Sequence, residues 1–292
     1  MSRSEKSDIK INELGAKPVR CDLESVSAID IGEADIVLHC AAYVEAWGPK
    51  EAWYKTNVIG TETMLNVAKS AGVKRFIHIG TEAAIVKGQD IINADETVSL
   101  APGSPYPYCS TKAQAEQKVK SANQNGEFET ITLRPRFVWG PGDTTLMPII
   151  KAMAATGKCT WINNGKAMTS STHIDNLVHA IELALHEGEA GEAYFIIDEG
   201  NVSMKNMISS MAQSQNLTLG DKSIPSWLAG VMALLTEGIW RLFRLKGEPP
   251  ITRHAAMVMS RECTLKGDKA AAELGYRPVI SRSDGFAMMK NA

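Results

Sequence analysis

Residues 106–112 read YPYCSTK, a stretch that places Tyr108 four positions before Lys112. On a helix that begins near Tyr108, the two residues share the face that should lie against a sheet. A lysine there is costly unless it has a partner or a chemical task, although snorkelling at the helix start is the plainer alternative. Tyrosine normally ionises near pH 10, so activity near neutral pH needs its phenolate stabilised by roughly 4 kcal/mol. We therefore interpret Tyr108 as an acid/base whose pKa is lowered by Lys112, while Glu116 and Lys120 pair on the solvent side.

A hydroxyl completes this arrangement at the end of a strand-like run. The segment VKRFIHIGT ends in Thr81, and open α/β sheets place their ligands at the carboxyl ends of their strands. Tyr106 precedes the helix and lacks the helical relation to Lys112. Thr81, Tyr108 and Lys112 together predict a proton-transfer site.

The rest of the chain alternates between strand-like and helix-like segments. Strands are predicted at 18–23, 35–42, 73–81, 128–135 and 192–198, and helices at 49–71, 108–122, 174–186, 204–214 and 224–245. This rhythm predicts an α/β protein with a Rossmann-type, doubly wound parallel sheet and a smaller C-terminal substrate-binding lobe. We place the sheet domain with its catalytic residues at 1–160. The lobe takes most of 161–292, with some of its segments returning to the sheet.

The composition excludes several classes of protein. A net charge of −2 gives no electrostatic footprint for nucleic acid. Five scattered cysteines without a CxxC pair indicate free thiols, and the six histidines lack metal-ligand spacing, so we predict no metal site. The polar start of the chain and the short apolar run at 227–235 predict a soluble, cytoplasmic protein without a transmembrane segment. Segment 225–245 also suits an interfacial helix, a peripheral membrane contact, and a homodimer is a further alternative.

In the order of its motifs the chain resembles the extended short-chain dehydrogenase/reductases, also called the NAD-dependent epimerase/dehydratase superfamily. It is most similar there to the branch of the 3β-hydroxysteroid dehydrogenase/isomerases and sterol-4α-carboxylate 3-dehydrogenases. The motifs are HCAA at 39–42, NVIGT at 57–61, Thr81, Tyr108 with Lys112, RPRFVWGPGD at 134–143 and STHIDNLVHA at 171–180.

The resemblance implies a role for each matching residue. Tyr108 would exchange the proton of the substrate hydroxyl, Thr81 would bind the reacting oxygen, and Lys112 would also bind the nicotinamide ribose. Asn57 would support the active site, although a buried asparagine is ordinarily a satisfied structural group. The cofactor, NAD or NADP, would be contacted by Asp22, Leu23, Cys40, Ala41, Ala42, Tyr108, Lys112, Pro135 and Val138.

One motif of that superfamily is absent from this sequence. Its dinucleotide fold opens with a strand, a glycine-rich turn and a helix that holds the pyrophosphate, whereas the first glycine here is Gly15. We therefore expect an N-terminally truncated member in which 1–160 is an incomplete NAD(P)-binding domain lacking its first β-α-β unit. It should leave the strand at 35–42 with an open edge and bind dinucleotide poorly.

The resulting hypothesis is an NAD(P)-dependent oxidoreductase of steroid biosynthesis type, impaired by the missing glycine loop. Its substrate would be the alcohol or ketone of an apolar, steroid-like or isoprenoid-like molecule. An apolar pocket is suggested by Trp47, Trp139, Trp161 and Met147, although core packing explains most such residues. A nucleotide-sugar epimerase or dehydratase shares the same residues and is the first alternative. A non-catalytic binding or regulatory protein is the second.

Two local features also have structural alternatives. Asp143 or Thr144 is expected to cap the helix after GPGD, in addition to forming a substrate loop. Arg136 and Arg253 could hold a substrate carboxylate, but a structural arginine is the default interpretation.

Overall fold

The computed structural model describes residues 1–290 and has the predicted α/β architecture. Its strands are β1 (Ile36–His39), β2 (Arg75–Ile79), β3 (Ile91–Ala94), β4 (Glu129–Pro135), β5 (Val138–Trp139), β6 (Trp161–Ile162), β7 (Met168–Thr169), β8 (Thr172–His173), β9 (Ala193–Ile196), β10 (Val202–Ser203), β11 (Ser223–Ile224) and β12 (Cys263–Leu265). The α-helices are α1 (Glu5–Glu13), α2 (Ala28–Ile31), α3 (Lys50–Trp53), α4 (Gly60–Ser70), α5 (Pro107–Ala122), α6 (Leu146–Thr156), α7 (Ile174–Ala184), α8 (Met204–Ser214), α9 (Ser226–Leu242), α10 (Arg253–Ser260), α11 (Asp268–Glu273) and α12 (Arg282–Lys290).

The central sheet consists, within residues 1–290, of four parallel strands in the order β1-β2-β4-β9. Successive residues of a strand point to opposite faces, and both faces are covered here. Phe76 packs with residues of α4 and α5, whereas its neighbour Ile77 packs with residues of α7 and α11. Both side chains are fully buried, which contributes about 1.5–3 kcal/mol each. Because β9 comes from the later part of the chain, that part does contribute to this sheet, although the division at residue 160 remains a prediction.

The predicted strand at 18–23 is not formed. Arg20 makes an isolated parallel bridge with Ser2, and in the described part of the chain β1 pairs with β2 alone. No neighbouring strand extends this bridge into a ladder, and the segment is held by backbone hydrogen bonds between Ser2 and both Val19 and Cys21. Cys21 and Leu23 pack against the cluster that contains Phe76.

The helix predicted at 49–71 is continuous but not uniform. It begins as α3, widens into a π-helix at Tyr54–Ile59 and continues as α4. π-Turns inside α-helices frequently occur at functional sites. This one contains the buried residue Asn57.

A second four-stranded sheet is formed mainly by strands from the later part of the chain. It joins β10, β7, β12 and β3, and the cluster behind it is built on α6, α8 and α12. Trp139, Trp161 and Met147 are buried in that cluster. They are core residues, which is the structural alternative that the sequence left open for them.

Candidate active site

The carboxyl ends of the central strands bring the predicted catalytic residues together. Thr81 lies two residues after the end of β2 and caps the 3₁₀ turn Glu82–Ile85. Tyr108 and Lys112 stand in the first half of α5, which packs against that turn and against the π-helix. The α5 face that carries Lys112 is buried, as its spacing predicts.

Thr81 is held in one orientation by its neighbours. Its hydroxyl oxygen accepts a hydrogen bond from the backbone N–H of Ala83 at 3.2 Å. The hydroxyl proton is donated to Oε2 of Glu82 at 2.8 Å. With this proton on Glu82, the Thr81 oxygen can accept a hydrogen bond from a further partner.

Tyr108 is a protonated acid in this environment. Burial raises the pKa of its phenol, the Glu82 carboxylate raises it further, and the Thr81 hydroxyl lowers it. The lowering of this pKa by Lys112 stays a prediction, and the ammonium contacts Ile79 and His78. The ring of Tyr108 lies 6.0 Å, centroid to centroid, from that of His254 on α10.

Lys112 is buried under the end of β2. Its Nζ donates to the carbonyl oxygen of Ile79 at 2.8 Å and lies 3.4 Å from Nε2 of His78. Burial lowers the pKa of the ammonium to about 8, while Glu116 and Cys40 act to raise it. An ammonium has three N–H donors, so one remains for a hydroxyl such as that of a ribose.

Two buried ion pairs flank α5, and the sequence predicted neither. Glu82 pairs with Arg136, whose Nε also donates to Oγ1 of Thr169 at 2.9 Å. Glu116 pairs with Arg134 at 2.9 Å, so the predicted solvent-side pairing of Glu116 with Lys120 is wrong.

For Arg136 the structural default is confirmed, since its guanidinium is 5% exposed and already paired. The available signal was a single charged residue, Glu82, in the otherwise uncharged run IHIGTEAAIV. The sequence did not show which basic residue would pair with Glu82.

Asn57 fastens the loop after β1 to α5. Its Oδ1 accepts from the backbone N–H of Tyr43 at 2.7 Å. Its Nδ2 donates to the carbonyl oxygen of Tyr43 and to Oγ1 of Thr111, each at 3.2 Å. The amide is thereby satisfied within the protein, which makes Asn57 a support for the site.

The predicted cofactor-contact residues occupy the same edge of the sheet. Cys40 and Ala41 follow β1 and are exposed, which leaves room for a close approach above them. Ala42 is half-buried beside them, Pro135 ends β4, and Val138 in β5 is 37% exposed. Small exposed side chains together with the spare Lys112 donor fit the ribose end of a dinucleotide.

Asp22 and Leu23 have other partners in this fold. Oδ1 of Asp22 accepts from the backbone N–H groups of Glu24 at 2.8 Å and Ser25 at 3.1 Å, and these bonds lower the pKa of the carboxyl. Leu23 packs on α4 so closely that a Cβ added to Gly60 would lie 2.6 Å from it. The adenine contact of these two residues remains a prediction.

The loop before α6 is bonded to the start of the helix by Asp143. Oδ1 of Asp143 accepts from the backbone N–H of Thr145 at 2.7 Å and from that of Leu146 at 2.8 Å. The N-cap residue itself is Thr145, whose side chain makes no capping bond, and not Asp143 or Thr144 as predicted.

A small cavity of about 30 Å³ opens beside Tyr108. Its walls include Trp47, Tyr106, Glu237 and Arg253. Among residues 1–290 no group of three or more histidine, cysteine, aspartate or glutamate side chains is placed to hold a metal ion. In the same residues, no helix has the length and apolar character needed to cross a bilayer.

Comparison with known proteins identifies the family of the chain. Residues 2–225 match the 3-beta hydroxysteroid dehydrogenase/isomerase family. The chain is 34% identical over 293 residues to the 4-hydroxy-2-methyl-3-oxo-4-farnesyl-3,4-dihydroquinoline-1-oxide ketoreductase of Stigmatella aurantiaca, covering 99% of this chain and 87% of the relative. It is 28% identical over 302 residues to a decarboxylating sterol-4-alpha-carboxylate 3-dehydrogenase of Dictyostelium discoideum, covering 98% and 90%.

A solved structure supports the fold. The UDP-glucuronic acid 4-epimerase from Bacillus cereus, in complex with NAD, superposes with a TM-score of 0.72 and 20% identity over 100% of this chain and 87% of that one. The chain therefore belongs to the 3-beta hydroxysteroid dehydrogenase/isomerase family and is an NAD(P)-dependent oxidoreductase.

Proposed function

We propose that this protein reduces the ketone of an apolar, isoprenoid-like or steroid-like substrate to a secondary alcohol. The observation that supports this reaction is the Tyr108 phenol, which lines a cavity and is kept protonated by burial and by the Glu82 carboxylate. The reductive direction is taken from the relative that is named a ketoreductase. A carbonyl group whose carbon gains a hydride needs a proton on its oxygen, and Tyr108 would donate it. NAD(P)H, when bound, supplies the hydride to the carbonyl carbon.

The other residues would hold the reactants in place. Lys112 would bind the ribose with its spare N–H, and Cys40, Ala41 and Ala42 would lie along the cofactor. Thr81 would accept a hydrogen bond from the alcohol product, because its own proton is already donated to Glu82.

The proposed substrate class is inferred from the names of two relatives. One is named for a farnesylated quinoline ketone and the other for a sterol carboxylate, so both names describe large apolar molecules. Trp47 and Tyr106 supply apolar surface in the cavity beside Tyr108. A farnesyl-like tail and a sterol ring system are both compatible with such walls.

The test is a binding titration followed by an assay. The purified chain is titrated with NADH and with NADPH, following energy transfer from tryptophan to the reduced nicotinamide. Long-chain methyl ketones, a 3-ketosteroid and UDP-glucuronic acid are then compared as substrates. Saturable cofactor binding and ketone-dependent NAD(P)H oxidation support the proposal. Turnover of the nucleotide sugar alone would favour the epimerase alternative, and binding of no cofactor would favour the non-catalytic one.

We also propose that α9 rests on a membrane surface. Val231, Leu235, Ile239 and Leu242 form a stripe along it, and each is between 45 and 76% exposed. Trp227 and Phe243 stand exposed at its two ends, and the exposed Arg244 and Lys246 follow. Aromatic and basic residues beside an apolar stripe suit the interface of an anionic bilayer.

Leu235→Glu is therefore expected to lower binding to vesicles of phosphatidylcholine and phosphatidylglycerol by about tenfold, because it places a charge in the apolar stripe. Sedimentation with vesicles measures the bound fraction. Ile29→Glu is the matched control, since Ile29 is 92% exposed on α2, away from α9. Equal sedimentation of both variants with the wild type would contradict the proposal. Light scattering in the same buffer would test the homodimer, which also remains a prediction.

A further inference from the structure

A second cavity, of about 430 Å³, lies between α9 and α10 next to the one that Tyr108 lines. One wall is formed by residues of α9. The other is formed by positions 253, 256, 257, 260 and 261, which share one face of α10 and its C-cap. Tyr106 and Arg253 stand in the walls of both cavities, so a molecule bound at Tyr108 can extend into the larger one.

The charged side chains in the walls of the larger cavity are all positive. Arg253 and Arg261 line it, whereas no aspartate or glutamate among residues 1–290 does. Trp227 and Leu234 give the α9 side an apolar surface, so the positive groups belong to the α10 side. The cavity therefore offers two cations and no anion to whatever enters it.

Hydroxyl groups accompany the two arginines. Ser226 and Ser260 stand in the same walls. The phenol oxygen of Tyr106 lies against Gly88, because a Cβ added at Gly88 would be 3.1 Å from it, and Gly88 is part of the wall as well. These hydroxyls add neutral hydrogen-bond donors to the charged ones.

The acids that pair with the two arginines stand outside this cavity. Glu237 accepts from Nε of Arg253 at 2.8 Å and from the backbone N–H of Arg253 at 2.7 Å. Asp90 lies 3.3 Å from Nη1 of Arg261, and its other oxygen accepts from the backbone N–H of Glu262 at 3.0 Å. A guanidinium has five N–H donors. Within residues 1–290, both Nη groups of Arg253, and Nε and Nη2 of Arg261, thus have no acceptor.

The free donors of a guanidinium fit one class of ligand best. Their planar fork matches the oxygens of a carboxylate or a phosphate, and bonds of this charged kind are about twice as strong as neutral ones. A neutral ligand would leave the two positive charges uncompensated. The cavity is also much larger than one such group, which leaves room for the molecule that carries it.

We propose that the cavity between α9 and α10 binds an anionic substituent, a carboxylate or a phosphate, of the ketone substrate. This inference rests on the proposed ketone reduction, whose substrate it defines more closely. The apolar body of the substrate would lie beside Tyr108 and Trp47, and its anion would lie at Arg253 and Arg261. The anion then determines which ketones are bound well, while Tyr108 determines the chemistry.

The probes are oxo acids compared with their own amides, because an amide has the size of a carboxylate without its charge. The pairs are 4-oxopentanoate, 5-oxohexanoate and 6-oxoheptanoate with the corresponding amides, which vary the distance between ketone and anion. At the best length we expect the acid to have a KM lower than that of its amide by about tenfold or more. Equal KM values for acid and amide at every length in the wild type would overturn the proposal.

Arg261→Gln tests the site itself. Its ion pair with Asp90 is half-exposed and contributes little to stability, so the variant should fold, and its melting temperature checks this. The preference for the acid over the amide should fall by about tenfold, because one of the two guanidinium groups is lost. Arg277→Gln is the matched control, since it removes the same charge from an exposed residue that lines neither cavity. The same loss of preference in both variants would overturn the proposal.

Calorimetric titration separates this inference from the reaction. The oxo acid is titrated into the protein with and without NADP⁺, which does not permit ketone reduction. Binding that Arg261→Gln weakens and Arg277→Gln retains supports the anion site even where no ketone is turned over, in which case the proposed reaction alone fails. Stronger displacement by inorganic phosphate than by acetate identifies a phosphate site, and the reverse identifies a carboxylate site. Absence of binding of both the oxo acids and inorganic phosphate to the wild type would overturn the anion site.

Discussion

Tyr108→Phe is expected to lower kcat for ketone reduction by roughly 10²–10⁴-fold, the usual contribution of a positioned acid. Phenylalanine keeps the ring, its packing near His254 and the shape of the cavity, but it has no proton to give to the carbonyl oxygen. Cofactor affinity should change far less, because Lys112 keeps its contacts with Ile79 and His78.

Single-turnover oxidation of NADPH with saturating ketone measures this effect, and the tryptophan titration measures cofactor binding separately. Tyr54→Phe is the control, because it also removes one phenolic hydroxyl, but at a residue that is 46% exposed on the π-helix. If the Tyr108 variant kept more than about a tenth of the wild-type rate, another group would have to supply the proton.

Glu82→Gln is expected to destabilise the protein by about 3–5 kcal/mol, because it leaves the buried guanidinium of Arg136 without its counter-charge. The side chains of Glu82 and Arg136 are almost completely buried, so water cannot replace the lost interaction of the guanidinium with the carboxylate. Denaturant unfolding gives the free energy of unfolding of each variant.

Glu129→Gln provides the comparison for that loss. It removes the same charge from an ion pair with Arg75, 2.7 Å long and more exposed, at the amino ends of β2 and β4. A more exposed pair contributes about 0–1 kcal/mol, so this variant should be much less destabilised. Equal losses in the two variants would show that burial does not determine the effect.

The same Glu82→Gln change should alter the pH dependence of the reaction. The Glu82 carboxylate raises the pKa of Tyr108, so neutralising it lowers that pKa. Ketone reduction needs the protonated phenol and falls as pH rises through the pKa, and this fall should therefore begin at a lower pH in the variant. Alcohol oxidation needs the phenolate, so its rise should also move to lower pH. The rate of alcohol oxidation below pH 10 checks this, because the phenolate fraction at each pH rises when the raised pKa is lowered. An oxidation rate equal to that of the wild type across this range would show that Glu82 does not act on Tyr108.

Local patterns in the sequence were sufficient for most of the scaffold. The helix at Met204–Ser214 has the predicted bounds, and α5 and β4 begin within one residue of theirs and end where predicted. The spacing of Tyr108 and Lys112 placed both on α5, and the strand end placed Thr81 beside them. These features depend on residues within one element or at its end, where the periods of helix and strand determine which side chains are neighbours.

The environment of these residues was decided by the tertiary structure. Spacing paired Glu116 with Lys120, but the fold brought Arg134 of β4 to it, and it joined Glu82 to Arg136 across 54 positions. The sequence predicted a Tyr108 pKa lowered by Lys112, whereas burial and the Glu82 carboxylate raise it. The sequence by itself determined which groups the site contains. Their partners, and hence their charges, depended on how strands and helices distant in the chain pack together, which no local period records.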